Sequence, residues 1–178
     1  VAENEPARED SLLNPQDIYD KSKLAGERIA LRWAGEGLDT VVIRPGWVYG
    51  PGDRRTFKLV RAIARKRFIL VTGGKIRQTP VYIDDLIRGT LLCLEQGRKG
   101  EIYHLAGPDV LTVKEIARTI AAAADTRIPR LVLPSLPVKM LSFALDKAFS
   151  LFKKEAPLTP AKLSFFLHPK PLAIEKAR

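Results

Sequence analysis

The chain has 178 residues, 46% of them hydrophobic and 28% charged, which is an ordinary composition for a globular chain with one core. No apolar run approaches the roughly 18 residues of a membrane span, and the single cysteine, Cys93, excludes a disulfide within the chain. Two histidines far apart support neither a zinc site nor a Ser-His-Asp triad, so we predict no metal. We also predict that the Cys93 thiol is buried and inert. Because no membrane span is predicted, we expect a cytoplasmic protein.

The first predicted element is a long helix. Asn14 can cap it with Pro15 at its first position, and the apolar residues Ile18 and Trp33 belong to a pattern that runs until Gly35.

Tyr19 and Lys23 lie four residues apart near the start of this helix. Because four residues are about one helical turn, both side chains project from the same face and the ammonium can lie beside the phenol. A nearby positive charge favours the phenolate, so Tyr19 could exchange a proton with a substrate hydroxyl. The alternative is an exposed helix with a tyrosine at its edge.

A short β-branched run at residues 40–43 predicts a buried parallel strand that ends at Arg44-Pro45-Gly46. Open α/β sheets bind ligands outside the carboxyl ends of their strands, which makes the loop after this strand a candidate site. The alternatives are a plain strand-terminating turn at Pro45 and Gly46 and a core aromatic at Trp47.

A basic amphipathic helix is predicted next, over about residues 54–67. Phe57, Val60, Ile63 and Ala64 give it an inward face. Its cations are Arg54, Arg55, Lys58, Arg61, Arg65, Lys66 and Arg67. With a net charge of +10 this cluster raises the possibility of nucleic-acid binding, but we interpret the cations as the solvated side of the helix. A phosphate-bearing ligand is the other alternative.

A strand over about 68–72 and a turn at Gly73-Gly74 precede an acidic pair, Asp84 and Asp85. Adjacent residues cannot both face one substrate, so we predict that an aspartate caps the following helix and that the pair is not catalytic.

Thr112 and Glu115 form a capping-box pattern ahead of a further helix. Beyond Pro129 the chain becomes apolar and is punctuated by prolines. An amphipathic stretch there carries Leu141, Ala144, Leu145, Ala148, Phe149 and Phe152, and a short helix is predicted over 158–162. The pattern of these residues leaves open whether the stretch packs on the sheet or docks on a membrane surface.

Four blocks together carry a family resemblance: residues 19–23, 44–53, 81–86 and 102–116. In their order and spacing the chain resembles the second half of extended short-chain dehydrogenases/reductases, the NAD-dependent epimerase/dehydratase superfamily. The resemblance implies an α/β fold, the C-terminal part of a Rossmann-like doubly wound parallel sheet plus a smaller, mainly helical substrate-binding lobe. Residues 1–128 would hold the C-terminal half of the NAD(P)-binding domain with interleaved lobe segments, and 129–178 mainly the lobe.

The resemblance also implies site residues. Tyr19 would be the proton donor or acceptor, and Lys23 would activate it and hold the nicotinamide ribose. Pro45, Trp47 and Val48 would border the nicotinamide of NAD or NADP, with a backbone group near Val48 meeting its carboxamide.

The implied substrate is a small molecule with a secondary alcohol. The apolar region after Pro129 resembles the 3β-hydroxysteroid-dehydrogenase-like and dihydroflavonol-reductase-like branches, and nucleotide sugars are the other candidates. Arg54 and Arg77 are the candidate substrate-binding residues. Family members also resemble one another in forming homodimers through the helix that carries the tyrosine and lysine and the helix before it, which implies a homodimer of the full-length protein.

The twelve glycines include no G-x-G-x-x-G spacing, the pattern that places a dinucleotide pyrophosphate at a helix N-terminus. We therefore expect this chain to be the C-terminal part of a longer enzyme and, by itself, a poor catalyst. Two further hypotheses remain open: a family member that binds NAD(P) as a scaffold without catalysis, and a basic nucleic-acid-binding module.

Overall fold

The structure is a computed structural model that describes residues 5–15, 17–128, 131–151, 156, 158–159, 163 and 166–178. Its helices are α1 (Ile18–Gly35), α2 (Arg54–Ala64), α3 (Ile83–Gln96), α4 (Val113–Ala123) and α5 (Ser135–Leu151). Its strands are β1 (Val42–Pro45), β2 (Trp47–Tyr49), β3 (Leu70–Val71), β4 (Arg77–Gln78), β5 (Pro80–Tyr82), β6 (Ile102–Leu105), β7 (Leu111–Thr112) and β8 (Val132–Leu133). Short 3-10 helices span Thr72–Gly74 and Glu175–Ala177.

The chain forms two compact units that interleave along the sequence. The first unit comprises Val1–Pro51, Thr79–Val110 and Lys170–Arg178. The second comprises Gly52–Gln78 and Leu111–Pro169.

Two parallel strand pairs form the centre of the first unit. Strand β1 pairs with β6, and β2 pairs with β5. Helix α1 packs against β1, while α3 packs against β5 and β6. Val81, Cys93 and Leu105 are buried there, and burial raises the pKa of the Cys93 thiol. The predicted buried cysteine is therefore confirmed.

The closing segment of the chain joins this unit through backbone hydrogen bonds. Ala7 N–H donates to the Pro171 carbonyl at 2.9 Å, and Ala173 N–H donates to the Ala7 carbonyl at 2.8 Å. A parallel bridge between Ala7 and Leu172 results. Residues near both ends of the chain thus share one short ladder.

The second unit has a helical core with short strands beside it. Strand β3 runs parallel to β8, and β4 runs antiparallel to β7. Helices α2 and α4 pack together. The buried cluster consists of Ile63, Phe68, Leu70, Val113, Ala117 and Ala121.

Helix α1 begins three residues later than the start predicted at Pro15. Its N-cap is Asp17, whose Oδ1 accepts from the Asp20 N–H at 2.7 Å. The prediction of Asn14 as the cap was wrong, because the Asp17 carboxylate satisfies one of the free N–H groups of the first turn. Tyr19 consequently lies in the first turn of the helix.

The start of α3 also differs from the prediction. Tyr82 occupies the N-cap position without a side-chain hydrogen bond, and Asp84 and Asp85 both lie in the first turn. The aspartates therefore do not cap the helix. Their charges instead favour the helix start, where the unpaired N–H groups carry partial positive charge.

The capping box of α4 is confirmed. The Thr112 hydroxyl accepts from the Glu115 N–H at 3.2 Å, and the Glu115 carboxylate accepts from the Thr112 N–H at 2.7 Å. The Thr112 N–H and hydroxyl both donate to the Glu115 carboxylate and hold the pKa of Glu115 below its ordinary value, with a smaller contribution from the charge of Arg77.

Helix α2 was predicted well at its start and less well on its inward face. Ile63 is fully buried and Val60 is half-buried, but Phe57 is 63% exposed and Ala64 is also exposed. The helical period explains the error, because the buried stripe includes Leu59 and Ile63, and residues 57 and 64 lie on a neighbouring stripe. All seven basic residues of this stretch are exposed, as predicted for a solvated side.

The predicted amphipathic stretch after Pro129 forms α5. Val138 and Ser142 are buried on one side, while Leu136 and Met140 are 68% and 66% exposed. Phe152 and most of the short helix predicted over 158–162 lie outside the described residues. Within the described ranges, no helix combines the length and apolar character needed to traverse a bilayer.

Candidate active site

Tyr19 and Lys23 lie together on α1. The Lys23 Nζ is 5.5 Å from the centroid of the Tyr19 ring. Both side chains are exposed, Tyr19 by 66%. The predicted arrangement of an ammonium beside the phenol is therefore present, and a ligand can reach the phenol from solvent.

The predicted nicotinamide residues lie at the carboxyl end of β1 and in β2. Pro45 ends β1 opposite Leu105, the last residue of β6, so the two parallel strands end side by side. Trp47 and Val48 follow in β2, paired with Pro80 and Val81 of β5. The structure thus places Pro45 at the end of β1 and Trp47 and Val48 in β2. The loop predicted after β1 is a strand instead, because residues 47–49 pair with β5.

Gly46 lies where three segments of the first unit meet. Its N–H donates to the Leu105 carbonyl at 2.9 Å, and the next N–H, of Trp47, donates to the Thr79 carbonyl at 3.1 Å. A Cβ at Gly46 would lie 2.3 Å from the Thr79 carbonyl oxygen and 2.9 Å from the Ala106 Cβ. The close approach of the backbones therefore requires a residue without a side chain here.

Aromatic rings line the edge next to this glycine. The Trp47 and Tyr49 ring centroids are 6.4 Å apart, and those of Tyr49 and Tyr82 are 5.6 Å apart, both at tilted angles. Trp47 is half-buried. Its ring therefore has both protein contact and accessible area, which suits a flat ligand surface.

An ion pair that we did not predict from the sequence links the two groups of predicted site residues. Arg44 Nη2 donates to Glu27 Oε1 at 2.7 Å, and Arg44 Nε donates to Glu27 Oε2 at 2.8 Å. The side chains are only 17% and 14% exposed. The hydrogen bond to Glu27 raises the pKa of Arg44, against a lowering by burial.

A buried histidine continues this network into β6. The His104 side chain is 2% exposed, and its Nδ1 lies 3.1 Å from the Ala173 carbonyl oxygen. Because a carbonyl only accepts, Nδ1 carries the proton in the neutral ring. Glu9 Oε1 accepts from the backbone N–H of His104 at 2.9 Å. Burial lowers the pKa of His104, although the charge of Glu9 opposes this.

The candidate substrate residues lie in the second unit. Arg54 is the first residue of α2, directly after its N-cap, Asp53. Arg77 lies in β4 opposite Thr112 of β7. Both are exposed and lie on different elements. In the part of the chain that the structure describes, no group of three or more His, Cys, Asp or Glu side chains could hold a metal ion.

Parallel strand pairs joined through helices, with a tyrosine and lysine on the helix beside a strand end, define an α/β protein of the Rossmann-like class. The model of the NAD dependent epimerase/dehydratase family matches residues 1–106, which is more than half of the 178 residues. The chain belongs to this family.

Curated relatives cover a range of chemistries. The chain is 35% identical over 88 residues to the 4-hydroxy-2-methyl-3-oxo-4-farnesyl-3,4-dihydroquinoline-1-oxide ketoreductase of Stigmatella aurantiaca. This match covers 49% of this chain and 26% of that protein. The chain is also 26% identical over 168 residues to the 3 beta-hydroxysteroid dehydrogenase/Delta 5-->4-isomerase of Mycobacterium tuberculosis. This match covers 90% of this chain and 43% of that protein. The chain therefore spans less than half the length of these relatives.

Among solved structures, the fold matches a dTDP-glucose 4,6-dehydratase double mutant from Streptomyces venezuelae with NAD and DAU bound. The TM-score is 0.63 at 26% identity, over 72% of this chain and 42% of that one. The predicted fold class, a part of a Rossmann-like sheet with a smaller helical portion, is confirmed.

Proposed function

We propose that the natural gene product carrying this chain is an NAD(P)-dependent oxidoreductase or epimerase that acts on a secondary alcohol. Tyr19 exchanges the hydroxyl proton, and Lys23 stabilises the charge that develops on the tyrosine oxygen. The substrate classes are nucleotide sugars and hydroxysteroid-like molecules, in keeping with the dehydratase and the hydroxysteroid dehydrogenase that the chain is similar to.

The contact between Lys23 and Tyr19 is the observation that carries this proposal. The Lys23 Nζ lies 5.5 Å from the centroid of the Tyr19 ring, so the ammonium is close to the group that would exchange the proton. The exposed ring leaves room for a substrate hydroxyl to approach. A tyrosine in this setting can accept a proton from an alcohol or return one to a ketone.

The residues at the end of β1 fit a nicotinamide. Trp47 offers a half-buried ring, and open α/β folds bind ligands outside the carboxyl ends of their strands. Pro45, Trp47 and Val48 would border the ring, and Lys23 would hold the ribose. When bound, the cofactor accepts or donates the hydride, so the chain's own residues supply position and electrostatics.

We propose Arg54 and Arg77 as the substrate-binding residues of this chain. Arg54 and Arg77 are exposed cations in the second unit and suit the phosphates of a nucleotide sugar. The 178-residue chain by itself is expected to be a poor catalyst, since it has no glycine-rich pyrophosphate loop.

Replacing Tyr19 by Phe in the natural gene product tests the catalytic role. The gene product is first screened with NAD⁺ and NADP⁺ against nucleoside diphosphate sugars and hydroxysteroids. We expect Tyr19→Phe to lower kcat by about 100-fold or more, because the proton transfer is lost. The dissociation constant for the cofactor, measured by calorimetry, should stay within about threefold, since the ring remains.

Tyr103→Phe is the matched control. Tyr103 also has a lysine over its ring, with Lys176 Nζ 5.0 Å from the centroid, but it lies in β6 outside the proposed site. The kcat of Tyr103→Phe should equal that of the wild type. Full activity of Tyr19→Phe would contradict the proposal, and cofactor binding without turnover of any substrate would favour the scaffold alternative.

A further inference from the structure

The ion pair between Glu27 and Arg44 joins the two halves of the proposed site. Glu27 follows Lys23 by four residues, as Lys23 follows Tyr19, so all three side chains lie along one side of α1. Arg44 directly precedes Pro45 at the end of β1. The pair therefore connects the helix that carries the tyrosine and lysine to the strand end that carries the predicted nicotinamide residues.

The geometry of this pair is restrictive. Two parallel N–H···O bonds of 2.8 and 2.7 Å fix the plane of the guanidinium against the carboxylate. Arg44 Nη1 also donates to the Glu9 carbonyl at 2.9 Å. The Glu9 carboxylate in turn accepts from the N–H of His104 in the neighbouring strand β6. Rotation or sliding of α1 along β1 would break both bonds between Glu27 and Arg44, while the Glu9 contacts hold Arg44 in place from the side of β6.

A contribution to the stability of the fold does not by itself explain why a buried ion pair is found here. Removing two charges from water costs free energy that their attraction often only balances, so apolar pairs of similar volume stabilise a fold as well or better. What an apolar contact does not supply is a single fixed orientation. The charged pair therefore suits a place where the relative position of two elements matters.

We propose, on the basis of the proposed function, that Glu27 and Arg44 are positioning residues that hold the Tyr19 and Lys23 face of α1 in register with Pro45, Trp47 and Val48. Neither residue is proposed to touch the reacting atoms. Their effect on turnover passes through the placement of the groups that do, because small displacements of reacting groups have large effects on rate.

The test uses the double variant Glu27→Gln/Arg44→Gln in the natural gene product. Removing both charges avoids leaving one of them buried without a partner, which would endanger folding. Glu101→Gln is the matched control, since it removes the exposed ion pair of Glu101 with Lys176, 2.5 Å long and in the same unit. Thermal unfolding of both variants establishes that they are folded.

Hydrogen exchange provides a measurement that needs no substrate. We expect the backbone amides of Gly46 and Trp47 to exchange about tenfold faster or more in the double variant, because the end of β1 loses its attachment to α1. Amides of α3 should exchange as in the wild type. In Glu101→Gln the amides of Gly46 and Trp47 should keep their wild-type rates.

Turnover provides the second measurement. With a substrate from the screen, kcat of the double variant should fall about tenfold or more while KM stays within about threefold. Unchanged exchange at Gly46 and Trp47, or a wild-type kcat in a folded double variant, would overturn the positioning role. Full turnover by Tyr19→Phe would contradict the proposed function itself. The positioning role would then be overturned with it.

Discussion

His104 shows how one residue couples the stability of the first unit to pH. Its side chain is 2% exposed and donates from Nδ1 to the Ala173 carbonyl. Burial lowers its pKa below the ordinary value of about 6.5, because a charged imidazolium loses its hydration in the interior. Folding therefore favours the neutral ring.

The sign of the pH dependence follows from this direction. Above about pH 6.5 the ring is neutral in both states, and its contribution to stability is fully present. As the pH falls below that value toward the pKa of the folded state, the unfolded chain binds a proton that the folded chain does not. The free energy of unfolding then falls by at most about 1.4 kcal/mol per pH unit.

His104→Asn tests this effect, because the asparagine amide can donate to the Ala173 carbonyl but does not titrate. Urea unfolding at pH 7.5 and pH 5.5 should show a smaller loss of stability on acidification in His104→Asn than in the wild type. His168→Asn, at an exposed position, should keep the wild-type loss. An equal loss in His104→Asn and the wild type would mean that another group is responsible.

At the scale of elements, the packing of β1, β5 and β6 depends on a small residue between them. The Thr79 carbonyl and Ala106 leave no room for a side chain at Gly46. Gly46 is not among the residues with a positive φ, so space and not backbone conformation is the constraint.

Gly46→Ala should therefore lower the free energy of unfolding by about 1–3 kcal/mol, since backbone atoms must move to admit the methyl group. The matched control is Gly26→Ala in the interior of α1, where a Cβ would meet nothing within 4 Å. That change should raise stability by about 0.5–1 kcal/mol, because alanine favours the helix. Chemical denaturation of both variants provides the measurement, and a Gly46→Ala variant as stable as the wild type would contradict the steric account.

Helix starts show which local signals were reliable. The box of Thr112 and Glu115 forms as predicted, because both hydrogen bonds lie within four residues. Asn14 and Asp17 both precede α1, and the residue pattern alone does not decide between two good capping residues. At α3 the strand β5 runs directly into the helix, so Tyr82 takes the capping position before either aspartate.

At the scale of the whole molecule, the missing glycine-rich motif leads to a binding prediction. The pyrophosphate of a dinucleotide is held by backbone N–H groups at a glycine-rich turn, and this sequence has no such spacing. Calorimetric titration of NAD⁺ and NADP⁺ should show saturable binding to the natural gene product and none to the 178-residue chain. Equal affinities of the two would contradict this expectation.

The candidate site could be predicted in part. The spacing of Tyr19 and Lys23 and the strand ending at Pro45 are visible in the sequence, and the structure places Tyr19 beside Lys23 and Pro45 beside Trp47 and Val48. Their roles in catalysis and cofactor binding stay predictions. The link through Glu27 was missed, although its spacing of four from Lys23 and an arginine before Pro45 were signals of a charged pair.

The sequence by itself determined the features that depend on neighbours within a few residues: helical periods, the capping box and the side-by-side placement of Tyr19 and Lys23. The tertiary structure decided the contacts between distant segments, such as that of Glu9 with His104, 95 residues further along, and the bridge between Ala7 and Leu172. The physical reason is that local hydrogen bonds and side-chain spacing follow from the helix and strand periods. Which buried charge meets which partner, and which glycine faces a second backbone, depends on how the elements pack.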